Sequence, residues 1–161
     1  MAMQHQPFET MDAQSLPLVR QVSVFLENRP GQLLKLTQLF DDQEVKILGL
    51  SQVDAGDCAI VRLVFDRTDT ALAVLKEAGF AVAVSELIVV RVPAGKRAMM
   101  AIWSVLLMAE VNVAYTYPLL MVGGGPCLAV SVDSVEIAVE TLQRRNFDVL
   151  GEADLQDEAN N

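Results

Sequence analysis

Polar and apolar residues alternate over Gln21-Val22-Ser23-Val24-Phe25-Leu26, the period of a half-buried strand. From Gln32 to Phe40 the apolar positions fall at 33, 36, 39 and 40, a helical period. Glu27-Asn28-Arg29-Pro30-Gly31 between them therefore reads as a tight strand-to-helix turn. Pro30 suits a first helical turn, where the amide it lacks would have no partner. Gly31 lets a ligand or a second backbone come close. The Asn28 side chain can cap the helix, and the amides at a helix start attract anions, a carboxylate included.

The helix runs into the acidic cluster Asp41-Asp42-Gln43-Glu44. Val45 to Val53 is a second strand, with Gly49 as a bulge or close-approach point. Asp54-Ala55-Gly56-Asp57 is a hairpin turn, and Cys58 to Phe65 returns as a third strand. Asp66 or Thr68 caps a second helix, whose stripe is Ala71, Val74, Leu75 and Ala78 and which Gly79 stops. Phe80 to Val84 is a fourth strand. The order is βαββαβ, a ferredoxin-like unit.

The pattern then repeats. Glu86 to Val92 is a strand, Ala98 to Met108 a helix, Val111 to Tyr117 a second strand, Gly123-Gly124-Gly125-Pro126 a hairpin and Cys127 to Val132 a third strand. Asp133 or Ser134 caps a helix with Ala138, Leu142 and Arg145 along one stripe, and Asn146-Phe147 stands where Gly79-Phe80 stood. This is an internal duplication. Ser85 alone separates the halves, which requires rigidly packed neighbours. The expected organisation is a tail over residues 1–18, domains over 19–85 and 86–152, and an acidic, frayed tail over 153–161. The fold class is α+β: two βαββαβ repeats side by side, with antiparallel sheets and helices on one face.

Composition narrows the function. The formal net charge of −9 repels phosphate backbones, so nucleic acid is not an expected partner. Cys58 and Cys127 sit in apolar runs and read as small buried hydrophobes of a reducing compartment. The single His5 gives no metal cluster and no base for a nucleophile, so neither metal, cofactor nor catalysis is expected. The glycine run at 123–125 lacks the Lys-Ser/Thr ending of a phosphate loop. Residues 1–20 lack the layout of a signal peptide, and Ala98–Ala109 is too short to span a bilayer. The expectation is a cytoplasmic protein with no membrane partner.

Phe25 to Leu33, followed by Val45-Lys46-Ile47 and Ile60 to Val64 and closed by Ala78 to Val82, resembles the ACT domain. Residues 86–150 resemble it more weakly, and the whole resembles the small stand-alone proteins made of two ACT domains. The resemblance implies a regulatory module that binds an amino acid where two domains pack together. It places the ligand against the first turn, here Asn28, Arg29, Pro30, Gly31, Gln32 and Leu33. It also places it against a second strand: Leu48, Gly49 and Leu50, or Val113 and Tyr115 from the other repeat. The second repeat departs from the pattern, with Ala94-Gly95-Lys96-Arg97 in place of the turn.

Asn28 can offer its oxygen to an ammonium or its NH2 to a carboxylate. Tyr115 and Tyr117, two apart on a strand, face one way and line a pocket or pack in a core or interface. From Ala98 to Ala109 only Ser104 is polar, so that helix is apolar all round: Met99, Ile102, Trp103 and Leu106 face the sheet, and Met100, Leu107 and Met108 lie on other sides. The expected protein is an amino-acid sensor and homodimer. The alternative is a ligand-independent regulatory or interaction subunit that partners an amino-acid biosynthetic enzyme.

Overall fold

The computed structural model describes residues 15–159; the N-terminal tail through residue 14, with His5, lies outside them. The first half runs β1 (Val19–Glu27), α1 (Gln32–Gln38), β2 (Ile47–Asp54), β3 (Cys58–Phe65) and α2 (Thr68–Glu77) into β4 (Ala81–Arg91). The second continues with α3 (Ala98–Met108), β5 (Val113–Leu119), β6 (Cys127–Val132), α4 (Val135–Arg144), β7 (Val149–Leu150) and α5 (Glu152–Ala159). Among the described residues no helix is long and apolar enough to cross a membrane.

The expected break at Ser85 does not exist. Gly, Pro, Asn and Asp are all absent from Phe80 to Val92, so nothing turns the chain. The two expected strands are one, β4. Its residues Ala81–Leu87 pair with β1, and Ile88–Arg91 pair with β6. Among the described residues all pairings are antiparallel: β1 also pairs with β3, β3 with β2, β6 with β5, and β7 with β4. β2 and β5 meet at Gly49 and Leu119. Two sheets side by side are thus replaced by one sheet closed on itself, in the order β1-β3-β2-β5-β6-β4 and back to β1.

Strand periodicity sorts the core into three clusters. Val22, Val24, Leu26, Val61, Leu63 and Phe65 point outwards to Leu36 of α1 and Ala71 and Leu75 of α2. Ile88, Val90, Leu128 and Val130 point outwards to Ile102 and Leu106 of α3 and Ala138, Val139 and Leu142 of α4. The opposite faces of both halves share the third cluster: Val19, Leu48, Val64, Leu87, Val89, Tyr117, Leu119 and Ala129, closed by Leu155 of α5. So α1 to α4 lie outside the closed sheet, and α5 packs with the interior set.

Several local expectations change. Glu152–Ala159 form helix α5, held by buried Leu155 and by ion pairs of Glu152 and Glu158. Pro30 precedes the helix, and Gly31 occupies the N-cap with no side-chain cap. Asn28 is turned instead to the β2–β3 hairpin. Neither Asp66 nor Thr68 caps α2, while at α4 Ser134 occupies the N-cap position without a side-chain bond and Asp133 does not cap. The two aspartates receive the amides just before β2 and β5, Lys46 N at 2.7 Å and Asn112 N at 3.1 Å. Ala78, Arg145 and Met99 are exposed, so the buried stripes are narrower than their periodicity suggested. The bulge at Gly49 and the left-handed helix exits at Gly79 and Asn146 are present.

Candidate functional site

The β1–α1 turn is exposed from Asn28 through Gly31, with Gln32 half-buried and Leu33 exposed beside it. Gly31 has φ +83°, and a Cβ there would meet nothing within 4 Å. Its glycine is required by backbone conformation and not by crowding. Asn28 Nδ2 donates to Asp54 Oδ1 at 3.3 Å and to the Gly56 carbonyl at 3.4 Å, which ties the turn to the hairpin. Asp54 Oδ1 also receives the Gly56 amide at 2.8 Å. Arg29 pairs with Glu27, both well exposed. Arg29 and Asp54 thus place opposite charges along one rim.

The other sequence-predicted residues lie elsewhere. β2 and β5, the second strands of the two halves, form the seam, and the Leu120 amide donates to the Leu48 carbonyl at 2.6 Å. Leu48 is fully buried in the interior cluster, whereas Leu50 packs towards α1 and α2. A Cβ on Gly49 would lie 2.3 Å from Leu119 Cδ2, so the seam closes on a bare backbone. Val113 faces α3 and lines an apolar groove of about 250 Å³ with Trp103, Leu106, Leu107, Val111 and Thr116. A bulge between Val113 and Tyr115 sends Tyr115 to the interior face. Tyr115 bonds to Gln21, and Gln21 is roughly 20 Å along β1 from the turn at ~3.3 Å per residue. Neither Tyr115 nor Val113 joins the turn.

Around Tyr115 is a polar cluster in which the sequence reading missed four members, Gln21, Arg62, Ser85 and Ser131. Gln21 is 1% exposed. Its Nε2 donates to Tyr115 Oη at 2.8 Å and to Ser85 Oγ at 3.1 Å, and its Oε1 accepts from Tyr117 Oη at 2.7 Å. The two phenol rings stack with centroids 6.5 Å apart, and the Arg62 guanidinium lies 4.0 Å above the Tyr115 ring. Burial pushes the Tyr115 phenol up, but bonds to Gln21 and Ser131 and the charge of Arg62 outweigh it and bring it below its ordinary value. Tyr117 is pushed well up by deeper burial, helped by Tyr115 and opposed by Arg62. The signal for Arg62 was present: a lone cation inside the apolar run Ala59 to Phe65.

Three basic side chains are half-buried, Arg20, Arg62 and Arg91; every other Lys and Arg is exposed. Arg20 holds Asp69 at 2.7 Å and Glu152 at 2.8 Å. Arg91 holds Asp148 at 3.0 Å and Glu158 at 2.5 Å. It also donates to the carbonyls of Gly123 at 2.7 Å and Gly125 at 3.3 Å. A Cβ on Gly124 would lie 3.0 Å from the Arg91 guanidinium, so the glycine run wraps an arginine. Among the described residues Arg62 has no carboxylate partner; its contacts are to Tyr115. A wide depression of about 1050 Å³ between Leu16–Leu18 and the starts of α4 and α5 shares no residue with the turn or this cluster.

Comparison with known proteins gives one family. The model of an ACT domain pair matches residues 18–159. A crystal structure of a protein from Bacteroides thetaiotaomicron superposes with a TM-score of 0.79 at 22% identity, covering 88% of this chain and 97% of that one. The regulatory subunit of aspartate kinase from Thermus thermophilus, in its ligand-free form, gives 0.55 at 11% identity, covering 80% and 92%. The corresponding subunit from Thermus flavus gives 0.52 at 12% identity, also covering 80% and 92%. At such identities the likeness is one of fold. No curated protein matches.

Proposed function

The chain belongs to the family of paired ACT domains, and on that premise we propose that it is a cytoplasmic regulatory protein that binds a free amino acid and catalyses nothing itself. Within it each half reads as a ferredoxin-like unit, with β4 serving as last strand of one and first of the other. The observation that carries the reading is the rim at Asn28–Gly31. A zwitterion needs an acceptor for its ammonium and donors for its carboxylate. Asp54 and Arg29 stand there with opposite charge, and Asn28, whose NH2 is held by Asp54 and the Gly56 carbonyl, offers its side-chain oxygen. Gln32 and Leu33 extend this surface, and β2, with Leu48, Gly49 and Leu50, carries the hairpin that backs it. The second half has Ala94-Gly95-Lys96-Arg97 in place of that turn, so one amino acid per chain is expected.

The same reading makes the protein a homodimer through α3. Met100 is 56% exposed and Leu107 76%, on a helix without one charge. Patches of that kind are seldom left in water. Lys96 and Arg97 stand before α3 and Glu110 after it, so two copies packed antiparallel bring each cationic end to an acidic one. In the second reading that face seats a biosynthetic enzyme instead, a role in keeping with the two Thermus neighbours, which are named as regulatory subunits of aspartate kinase.

A thermal-shift screen with the common amino acids, followed by calorimetry, tests the first part. An amino acid at one hundred times its Kd stabilises the folded state by about 2.7 kcal/mol. Gly31→Val, which puts a branched side chain at a left-handed position, should abolish that shift. If no amino acid shifts the transition, the sensor reading fails and the interaction subunit stands. Sedimentation tests the second part: the native chain should run as a dimer at micromolar concentration, and Met100→Glu with Leu107→Glu as a monomer.

A further inference from the structure

Arg62 departs from the rule that the other two half-buried arginines follow. A guanidinium withdrawn from water is ordinarily met by carboxylates, as Arg20 and Arg91 are, twice each. Arg62 is met by the face of Tyr115 and by no anion of the described chain. A guanidinium carries five N–H donors, so its contacts with the Tyr115 ring and phenol leave others for a planar acceptor. In strand register Arg62 stands between Ser23 and Ser51, both half-buried. The next row outwards is Phe25, Ile60 and Val53, of which Phe25 and Val53 are each 42% exposed. The guanidinium therefore lies one row inside an apolar, water-accessible mouth.

We infer that this mouth is a second ligand site, in which Arg62 and its flanking serines take the carboxylate of a small monoanion whose uncharged, apolar body lies against Phe25, Ile60 and Val53. A keto acid with a short branched chain has that chemistry. An amino acid of the same shape does not, because no acidic group lies beside Arg62: Gln21, Ser23, Ser51, Ser85, Tyr115, Tyr117 and Ser131 are all uncharged, and Glu27, on the same face of β1 but two rows further out, is paired with Arg29. The rim at Asn28–Gly31 offers both signs and suits a zwitterion; the interior offers one. The two sites share no residue, so this inference does not rest on the amino-acid reading.

The test follows the ring resonances of Tyr115 and Tyr117 in the full-length chain, labelled on tyrosine, during titration with α-ketoisovalerate and separately with valine. These two probes differ at the α-carbon, keto in one and ammonium in the other. The expected result is a saturable shift with α-ketoisovalerate, and at least tenfold weaker binding of valine at these rings. Arg62→Met should remove the response. Arg62→Lys, which keeps the charge but loses the planar fork, should weaken it about tenfold, and serves alone if Arg62→Met does not fold by circular dichroism. No saturable response to α-ketoisovalerate, equal affinity for valine, or unchanged affinity in Arg62→Lys would overturn the inference. Valine that shifts the melting temperature without moving the tyrosine rings would support the rim and leave this site to stand or fall on the keto acid.

Discussion

The two halves share a frame and differ in what they present to water. In the first, the Asp66 carboxylate receives the Lys46 amide, and the Asp66 amide donates back to the Lys46 carbonyl at 3.2 Å. In the second, Asp133 and Asn112 make the same reciprocal pair. Both second helices end alike, with the amides of Gly79 and Phe80 returning to Lys76 and Leu75, and those of Asn146 and Phe147 to Gln143 and Leu142. The surfaces part company. α1 is short and carries Lys35 beside the Asn28–Gly31 turn, while α3 is longer and uncharged. The devices that survived duplication are those that satisfy backbone groups. A buried group left unpaired costs about 1–3 kcal/mol, whereas an exposed side chain away from such features changes stability by roughly 0.5 kcal/mol or less.

If the halves are one unit, the greatest damage should come where they join. Gly49→Val places a branched side chain against Leu119 Cδ2, in a seam with Tyr117 Cε2 only 3.5 Å from the added Cβ. Leu119 must swing out of a packed cluster to admit it. The expected cost is about 1–3 kcal/mol by overpacking. Thermal unfolding should remain a single transition at lower temperature if the closed sheet is one cooperative body. Two separated transitions would show that the halves unfold independently and that the seam is a weak contact.

The paired aspartates test the shared frame at the next level. Asp66 is 4% exposed and Asp133 is exposed. Asp66→Ala should cost about 1–3 kcal/mol, since it removes a short bond from a buried position. Asp133→Ala should cost about 1 kcal/mol or less, because water reaches the Asn112 amide. Asp66→Asn, which keeps an acceptor oxygen, should recover part of the loss. Equal costs for the two alanine variants in urea unfolding would mean that burial does not separate these otherwise identical contacts.

Much of the frame was legible because it is written locally. The alternation before Glu27, the period after Gln32 and the Gly79-Phe80 and Asn146-Phe147 pairs each specify structure within a few residues. What was missed depends on distant partners. Helix α5 looks like a tail because seven of its eight positions give little to bury; it is held by Leu155 and by Glu152 and Glu158, which meet Arg20 and Arg91 from far along the chain. The aspartates read as helix caps because a cap and an acceptor for a distant amide have the same local spelling. At the candidate sites the turn was visible as a turn, but its tie to Asp54 was not, and neither was the meeting of Gln21, Arg62 and Tyr115. That meeting depends on the closure of the sheet.

The smallest effect discriminates most finely between the halves. Among the described residues three helices end on a residue in the left-handed region: Gly79 at φ +81°, Asn146 at +62° and Glu110 at +56°. The position needs a chain that tolerates positive φ, which costs an ordinary L-residue roughly 1–2 kcal/mol, a glycine nothing, and an asparagine something between. A glycine placed there loses more entropy on folding, which offsets part of the gain. A Cβ at Gly79 would meet no atom within 4 Å, so crowding does not enter and the series isolates backbone strain. Gly79→Ala should therefore destabilise by about 1 kcal/mol, Glu110→Gly should stabilise by up to about 1 kcal/mol, and Asn146→Gly by a few tenths. Chemical unfolding of the three variants gives the order directly. If Glu110→Gly instead destabilises, the Glu110 side chain contributes something at the end of α3 that outweighs its backbone strain. The acidic end assigned to the dimer contact is then the place to look, by repeating the measurement across protein concentration.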